Sequence, residues 1–200
     1  MSKNGEGILI VVSGPSGVGK GSICRALQQR HADVCYAVSA TTRQPRQGEQ
    51  DGVAYYFISE EEFLRRRAAG EFLEWAENFG HYYGTLRSEV ERLQQQGKNV
   101  ILEIDTQGAM QIRSVCPSGV FVFILPPSLE ELQRRISGRG SEPPEVQQVR
   151  LMHAQQEIEM APMYDYQIVN DEVERAADQL MAVIRAEQLK RNIKKEKADC

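Results

Sequence analysis

The chain contains four short runs of apolar residues that do not alternate with polar ones, at residues 8–12, 100–104, 120–125 and 166–169. The runs are rich in Val and Ile, which is typical of parallel strands covered on both faces. Segments of helical character separate them, and we predict helices over about 20–30 and 106–114. This alternation of strand and helix predicts an α/β fold with a parallel β-sheet flanked by helices.

Local signals place the remaining helices. Ser59-Glu60-Glu61-Glu62 and Ser128-Leu129-Glu130-Glu131 have the form of capping boxes, in which a serine and a later glutamate satisfy the first N–H groups of a helix. Gly70 and Gly138 are placed to end these two helices. Three further helices are predicted over about 86–96, from the Pro143-Pro144 break to about residue 161, and over about 172–195.

Residues 39–96 differ in amino-acid composition from the rest of the chain. Apolar runs are missing there, and Arg, Gln, Gly and Tyr are frequent. We predict a polar lobe inserted between strands of the core. Residues 127–150 are Arg-rich and contain glycine, which predicts a second, smaller insertion. The core would then comprise residues 1–38, 97–126 and 151–200.

Composition narrows the function classes. Of the 200 residues, 41% are hydrophobic and 26% charged, as in an ordinary globular domain. The formal net charge of −4 is unlike that of nucleic-acid-binding domains, which are usually basic. No apolar stretch approaches the roughly 20 residues that span a bilayer, and the first residues, MSKNGEG, lack the apolar region of a signal peptide. Four widely spaced cysteines without a C-x-x-C pair favour reduced thiols, and we expect a cytoplasmic protein.

The strongest local motif is Gly14-Pro15-Ser16-Gly17-Val18-Gly19-Lys20, between the first predicted strand and the first predicted helix. That setting is the one that a P-loop requires. Glycines allow backbone N–H groups to surround a phosphate, and the helix amino terminus adds a partial positive charge. We predict that residues 14–22 bind ATP and that Lys20 acts as a catalytic residue at its β- and γ-phosphates.

The position after the lysine departs from the usual P-loop. Ser or Thr normally stands there, and its hydroxyl contacts Mg²⁺. This chain has Gly21 instead, followed by Ser22. Either Ser22 supplies the oxygen, directly or through water, or the metal depends more on other ligands.

Asp105 is the second candidate for metal binding. It directly follows a predicted strand, and the carboxyl ends of parallel strands border the ligand crevice of such sheets. There Asp105 would hold Mg²⁺ or its waters, as a Walker-B Asp does. Alternatively, it only caps the helix that begins at Thr106.

Further motifs follow in order along most of the chain. Thr41-Thr42-Arg43-Gln44-Pro45-Arg46-Gln47-Gly48-Glu49 resembles the TTR-x-PR-x-GE signature of guanylate kinases. The similarity continues through Asp51-Gly52, Tyr55-Tyr56-Phe57, residues 72–76, residues 82–85, residues 104–108, residues 124–128, Gly138-Arg139-Gly140, Tyr164-Asp165-Tyr166 and residues 168–171. It covers about residues 8–190. The resemblance implies a P-loop nucleoside-monophosphate-kinase core with an inserted GMP-binding lobe (39–96) and a small lid (127–150). It also implies transfer of the γ-phosphoryl group of ATP to GMP, with Mg²⁺ as cofactor.

The resemblance assigns the GMP phosphate to Arg43, Arg46, Tyr55 and Tyr83, with Glu49 in the same motif. The chemistry agrees, since guanidinium groups make paired, charge-assisted bonds to phosphate oxygens and phenol hydroxyls add donors. Arg43 is also expected to be catalytic, because it holds the acceptor in place.

The resemblance assigns the guanine base to a second group. Glu74 matches the glutamate that reads guanine, and Ser39 and Thr85 match hydroxyls that contact the base. Glu103 stands where the family has Asp or Glu, and we place it in the GMP site together with Asp105. Guanine presents an N1–H and an amino group side by side, and a carboxylate accepts from both. Adenine lacks the N1–H and would leave the carboxylate unpaired.

The third group implied by the resemblance belongs to the ATP side. Arg135, Arg139 and Arg150 match lid residues that close on the ATP phosphates. Fixed guanidinium groups there would stabilise the charge that spreads over the transferred phosphoryl group. Asn170 matches a residue near the adenine ring.

Two rival functions remain open. Guanylate-kinase-like domains also serve as peptide-binding modules in scaffold proteins, typically with a degraded P-loop, whereas Lys20 and the loop glycines are intact here. Gly21 resembles the adenylate kinases and is the only feature that favours AMP as acceptor. The expected partners are therefore the nucleotides ATP and GMP, with no nucleic acid and no membrane.

Overall fold

The computed structural model describes residues 6–78, 80–137 and 144–198. Its strands are β1 (Leu9–Ser13), β2 (Val34–Tyr36), β3 (Ala40–Thr41), β4 (Tyr56–Phe57), β5 (Phe72–Asn78), β6 (His81–Leu86), β7 (Asn99–Glu103), β8 (Val120–Leu125) and β9 (Tyr166–Val169). Its helices are α1 (Lys20–Arg30), α2 (Glu60–Ala68), α3 (Arg87–Gln95), α4 (Thr106–Val115), α5 (Leu129–Ser137), α6 (Pro144–Glu159) and α7 (Val173–Ala198), with a short 3₁₀ turn at Ala161–Met163.

The main sheet has five parallel strands in the order β2-β7-β1-β8-β9. Each residue of β1 is buried, because the strand is covered on both faces. Ile10 and Val12 pack in one apolar cluster that includes residues of α1 and α7. Leu9 and Val11 pack in a second cluster with residues of α3 and α4. This two-sided burial explains the absence of polar alternation in the sequence and confirms the predicted fold class.

The four strands predicted from apolar runs are present, and two of them are shifted by one residue. The predicted helices are also present with bounds close to those expected. Both capping boxes are formed at the serine: the Glu62 N–H donates to Ser59 Oγ at 3.1 Å, and the Glu131 N–H donates to Ser128 Oγ at 3.2 Å. The Gly138 helix end lies outside the described residues.

A second sheet, with the order β4-β3-β6-β5, consists only of strands between residues 40 and 86. Its small apolar core contains Ala40, Phe63, Phe72 and Leu86, and the rings of Phe63 and Phe72 stack at 4.3 Å between centroids. All four strands fall within the polar segment 39–96. The division of the chain into core, lobe and lid stays a prediction, and residues 138–143 of the predicted lid lie outside the described residues.

The order of the main sheet determines where a ligand can bind. β1 lies between β7 and β8, so the segments that follow these three strands meet at one edge of the sheet. In open parallel sheets this carboxyl edge is where ligands bind. Among the described residues, no helix has the length and apolar character needed to cross a membrane.

Candidate active site

The predicted phosphate loop connects the central strand β1 to the amino terminus of α1, over residues 14–19. Gly19 is the N-cap of α1 and has φ of +97°, in the left-handed region that favours glycine. A Cβ at Gly19 would lie 2.5 Å from Asn170 Nδ2, so a larger residue would displace the Asn170 amide. The loop therefore has the strand–turn–helix setting that the sequence motif predicted.

Lys20 folds back over the start of the loop. Its Nζ donates to the Gly14 carbonyl oxygen at 2.5 Å and to the Pro15 carbonyl oxygen at 3.3 Å. Burial lowers the pKa of Lys20, whereas the carboxylates of Glu103, Glu157 and Asp105 act in the opposite direction. The amine thus lies against the loop backbone and within the field of three acidic groups.

Asn170 and Arg135 both hydrogen-bond to the backbone of the phosphate loop. Asn170 is 2% exposed, and its Nδ2 donates to the Val18 carbonyl oxygen at 2.7 Å. Arg135 donates to the same carbonyl oxygen at 3.2 Å and to the Asn170 carbonyl oxygen at 3.1 Å. Its Nε is paired with Glu131 at 2.8 Å. In this conformation the Arg135 guanidinium is bound to backbone carbonyl groups of Val18 and Asn170.

The Asn170 side-chain oxygen has no partner among the described residues, although it is buried. A buried carbonyl oxygen without a donor costs free energy, so such an atom is often satisfied by water or a ligand. One Nδ2 hydrogen of Asn170 is bound to the Val18 carbonyl oxygen, and the unpartnered Oδ1 can offer a ligand an acceptor.

A second basic site lies between β3 and β4, around Glu49. One Glu49 oxygen accepts from Arg43 Nη2 at 2.9 Å, and the other accepts from the Arg46 backbone N–H at 2.7 Å. These hydrogen bonds lower the pKa of Glu49. Arg43 also donates from Nη1 to the Gln44 carbonyl oxygen at 2.7 Å, and only 12% of its side chain is exposed. Glu49 thus fixes the turn that carries both arginines, while the Arg46 residue is exposed.

Two tyrosines complete this site. The rings of Tyr55 and Tyr83 meet edge to face at 6.0 Å, and the Arg43 guanidinium carbon lies 5.6 Å from the centre of the Tyr55 ring. Hydrogen bonds to Glu49 and then to Tyr83 raise the pKa of Arg43. The structure therefore places Arg43, Tyr55 and Tyr83 next to one another, with Arg46 in the same turn as Arg43.

The antiparallel pair β5 and β6 positions the third site. Glu74 and Thr85 are opposite each other, and the Thr85 hydroxyl donates to Glu74 Oε1 at 2.7 Å. The Ser39 hydroxyl lies 3.4 Å from the Thr85 hydroxyl. Burial raises the pKa of Glu74, and the charge of Asp105 adds to this effect, although the Thr85 hydrogen bond opposes it. Ser39, Glu74 and Thr85 thus form one polar cluster that contains a partly desolvated carboxylate.

The two carboxylates that follow β7 have different surroundings. Asp105 is the N-cap of α4, and its Oδ1 accepts from the Gly108 N–H at 2.8 Å. Capping, one of the two roles considered for Asp105, is therefore present. Glu103 is exposed at the end of β7, and its carboxylate lies beside Gly21 of the phosphate loop.

Two adjoining cavities connect these groups. The first runs along the phosphate loop and is lined by Ser16, Gly17, Gly19, Lys20, Gly21, Ser22 and Arg25. The second is lined by Ser39 and Thr85 among others. Four residues line both cavities: Tyr36, Ala54, Tyr55 and Glu103. The phosphate loop therefore borders a cavity that adjoins the one lined by Ser39 and Thr85, and Tyr55 lines both.

Comparison with known proteins agrees with this geometry. The family model described as guanylate kinase matches residues 6–187. The chain belongs to the guanylate kinase family. It is 52% identical to a guanylate kinase of Clostridium perfringens over 98% of this chain and 94% of that protein. It is 54% identical to one of Symbiobacterium thermophilum over 94% and 89%.

A solved guanylate kinase structure has the same architecture. The crystal structure of guanylate kinase from Anaplasma phagocytophilum is 38% identical to this chain and superposes with a TM-score of 0.69. The alignment covers 92% of this chain and 87% of that structure. The matched relatives extend over nearly the whole chain, so this protein is an enzyme of the guanylate kinase type, an ATP:GMP phosphotransferase.

The structure gives less information on three of the residues predicted to serve guanylate kinase activity. Arg139 lies outside the described residues. Arg150 is half-buried on α6, and Ser22 is exposed in the first turn of α1. The roles of these three residues, like those of the other predicted site residues, stay predictions.

One acidic residue close to the phosphate loop was not predicted from the sequence. Glu157 lies on α6, and its negative charge acts to raise the pKa of Lys20. Burial raises the pKa of Glu157, and Lys20 opposes this. A signal was present in the sequence: Ala154 packs in the core, and Glu157, three residues later, shares its face of the helix.

Proposed function

We propose that the protein phosphorylates GMP with ATP, giving GDP and ADP, in cytoplasmic purine nucleotide metabolism, where it recycles GMP. The observation that carries this proposal is the carboxylate of Glu74, hydrogen-bonded to Thr85 within the same lobe as Arg43 and Tyr83. An acceptor for a guanine edge and a cation for a phosphate thus lie in the same segment of the chain as Ser39, Tyr55 and Thr85, which line the cavities next to the phosphate loop.

The acceptor nucleotide is held by its base and by its phosphate. Glu74 accepts from the guanine N1–H and amino group, and Ser39 and Thr85 add hydroxyl contacts to the base. The phosphate dianion binds Arg43 and Arg46, because two guanidinium groups offer paired donors that match its oxygens. Tyr55 and Tyr83 donate their hydroxyl hydrogens to the same phosphate.

ATP is held by the phosphate loop, with the backbone N–H groups of residues 14–19 and the Lys20 ammonium on its phosphates. Arg135, Arg139 and Arg150 would approach from the lid and stabilise the charge on the transferred group. We expect Arg139→Ala to lower kcat far more than GMP binding. Asn170 offers its unpartnered Oδ1 to the nucleotide, and an adenine amino group is a donor of the right kind.

Mg²⁺ fits the oxygen atoms at this edge of the sheet. Hard divalent ions of this size bind one or two carboxylates together with substrate phosphates and water. The carboxylates of Glu103 and Asp105 and the hydroxyl of Ser22 belong to segments that meet here. When bound with ATP, Mg²⁺ neutralises charge on the β- and γ-phosphates.

The chemical step needs no covalent enzyme intermediate. An oxygen of the GMP phosphate attacks the γ-phosphorus of ATP, and the bond from that phosphorus to the β–γ bridging oxygen breaks, leaving ADP. The nucleophile is already anionic, so positioning and charge neutralisation account for catalysis. Lys20 and Arg43 hold the two reactants, and closure of lobe and lid would exclude the water that otherwise hydrolyses ATP.

The decisive experiment measures ADP formation by the purified protein with MgATP and, separately, GMP, AMP, CMP and UMP. We expect turnover with GMP and at most a trace with the others. Rapid turnover with AMP would assign the lobe to another base. ATP binding without turnover on any monophosphate would favour a binding module instead.

A further inference from the structure

The glycine after the phosphate-loop lysine has a specific neighbour. A Cβ at Gly21 would lie 3.3 Å and 3.4 Å from the two carboxylate oxygens of Glu103. Contacts this short require the neighbour to shift. The carboxylate of Glu103 therefore lies against the position from which the usual P-loop Ser or Thr extends its hydroxyl.

The fold fixes this proximity. Glu103 is the last residue of β7, and Val12 of β1 is its partner in the parallel ladder. The phosphate loop begins two residues after Val12, so the end of β7 lies beside the loop and the first turn of α1. Glu103 is separated from Gly21 by 82 positions in the sequence, and only the pairing of β1 with β7 brings them together.

The Glu103 carboxylate is available for a ligand. It accepts no hydrogen bond and forms no ion pair within the part of the chain that the structure describes, and it is exposed. It lines both the cavity along the loop and the cavity that contains Ser39 and Thr85. Asp105 differs, because one of its oxygens is already bound to the Gly108 N–H as a helix cap.

We propose that Glu103 supplies the Mg²⁺ ligand, directly or through a coordinated water, in place of the hydroxyl that Gly21 lacks. This inference rests on the proposed function, since it concerns the metal that accompanies ATP. A carboxylate oxygen is a suitable donor for Mg²⁺ and carries more charge than a hydroxyl. Glycine at position 21 leaves space for the Glu103 carboxylate, because it has no side chain.

The test uses the metal affinity of the ADP complex, which does not depend on turnover. Binding of Mn²⁺, a paramagnetic substitute for Mg²⁺, is measured by electron paramagnetic resonance with ADP present, and ADP affinity is measured separately in excess chelator. We expect Glu103→Gln to weaken Mn²⁺ binding about tenfold and to leave metal-free ADP binding within twofold of the starting protein. Thermal unfolding without ligand confirms that the variant is folded.

A second substitution makes the test specific for position 21. In the Glu103→Gln protein, Gly21→Ser restores the usual hydroxyl, and we expect it to recover at least threefold of the lost Mn²⁺ affinity. The matched control is Glu157→Gln, which removes another carboxylate that acts on Lys20. We expect less than a twofold change in Mn²⁺ affinity for this control.

Several outcomes would overturn the proposal. Mn²⁺ affinity within twofold of the starting protein in Glu103→Gln would show that Glu103 holds no metal. An equal loss of Mn²⁺ affinity in Glu157→Gln would show that any negative charge near the loop has this effect, and that Glu103 is not a specific ligand. A change in GMP affinity without a change in Mn²⁺ affinity would assign Glu103 to the acceptor nucleotide. Failure of the proposed function is distinct, since it appears as absent GMP phosphorylation by the unsubstituted protein.

Discussion

The Thr85 hydroxyl donates to Glu74 Oε1 at 2.7 Å, directly across the β5–β6 ladder. One lone pair of the carboxylate is therefore engaged, and the side chain is held before any nucleotide binds. A preorganised acceptor costs less conformational entropy when guanine arrives than a mobile one. This pair is the basis of the first three predictions.

Glu74→Gln should lower kcat/KM for GMP on the order of a hundredfold and reduce the preference for GMP over AMP. The glutamine amide presents a donor to a guanine edge that consists of donors, so at least one buried group loses its partner. Steady-state kinetics with both monophosphates measures the effect. Glu77→Gln, an exposed residue on the same strand, is the control. An unchanged GMP preference in Glu74→Gln would remove guanine recognition from Glu74.

The same carboxylate should make GMP binding sensitive to acid. Burial raises the pKa of Glu74, so this acceptor is protonated at a higher pH than an ordinary glutamate is. We expect the Kd for GMP to rise as pH falls through this raised pKa, and the rise to be smaller in Glu74→Gln, where only the GMP phosphate still gains a proton. Calorimetry across an acidic pH series measures it. An identical pH profile in both proteins would contradict the prediction.

The raised pKa also affects stability. The folded state binds this proton more tightly than the unfolded chain, so the contribution of Glu74 to stability falls as pH rises from the ordinary glutamate pKa through the raised one. Above that pH range the ionised Glu74 side chain destabilises the folded state. Nucleotide-free Glu74→Gln should therefore have a higher Tm than the starting protein at neutral pH, with Glu77→Gln unchanged. A lower Tm would mean that Thr85 requires the charged partner.

Arg43→Lys should raise the KM for GMP about 10- to 100-fold. Lysine keeps the charge but donates from a single nitrogen. It therefore cannot bind Glu49 and also make paired hydrogen bonds to the phosphate oxygens. Kinetics with GMP as the varied substrate measures the change, with ATP affinity as an internal reference. Arg65→Lys, an exposed arginine on α2, is the control. An effect on ATP alone would place Arg43 on the other nucleotide.

Two substitutions separate the roles considered for Asp105. Asp105→Ala removes the cap on α4 and should lower the free energy of unfolding by about 1 kcal/mol. Asp105→Asn keeps a capping oxygen and should restore most of that stability, while its lost charge lowers kcat/KM. Urea unfolding and steady-state kinetics provide the two readings. Full activity in Asp105→Asn would leave Asp105 with the capping role alone.

The sequence was most informative where neighbouring residues determine the structure. The strand–loop–helix of the phosphate loop was predicted because its glycines, its lysine and the apolar run before it are contiguous. The capping boxes at Ser59 and Ser128 were predicted for the same reason. The strands of the second sheet were not predicted, since β3 and β4 have only two residues each and β5 carries a register shift between Phe72 and Glu74.

The sequence by itself determined the family, the α/β class and the chemical types of the site residues, because motifs and two-sided apolar runs are local patterns. Only the tertiary structure decided which of these residues are neighbours. The register of β5 on β6 places Thr85 on Glu74, and the pairing of β1 with β7 places Glu103 beside Gly21. Burial and charge at each group follow from such long-range pairings, and residue order does not specify them.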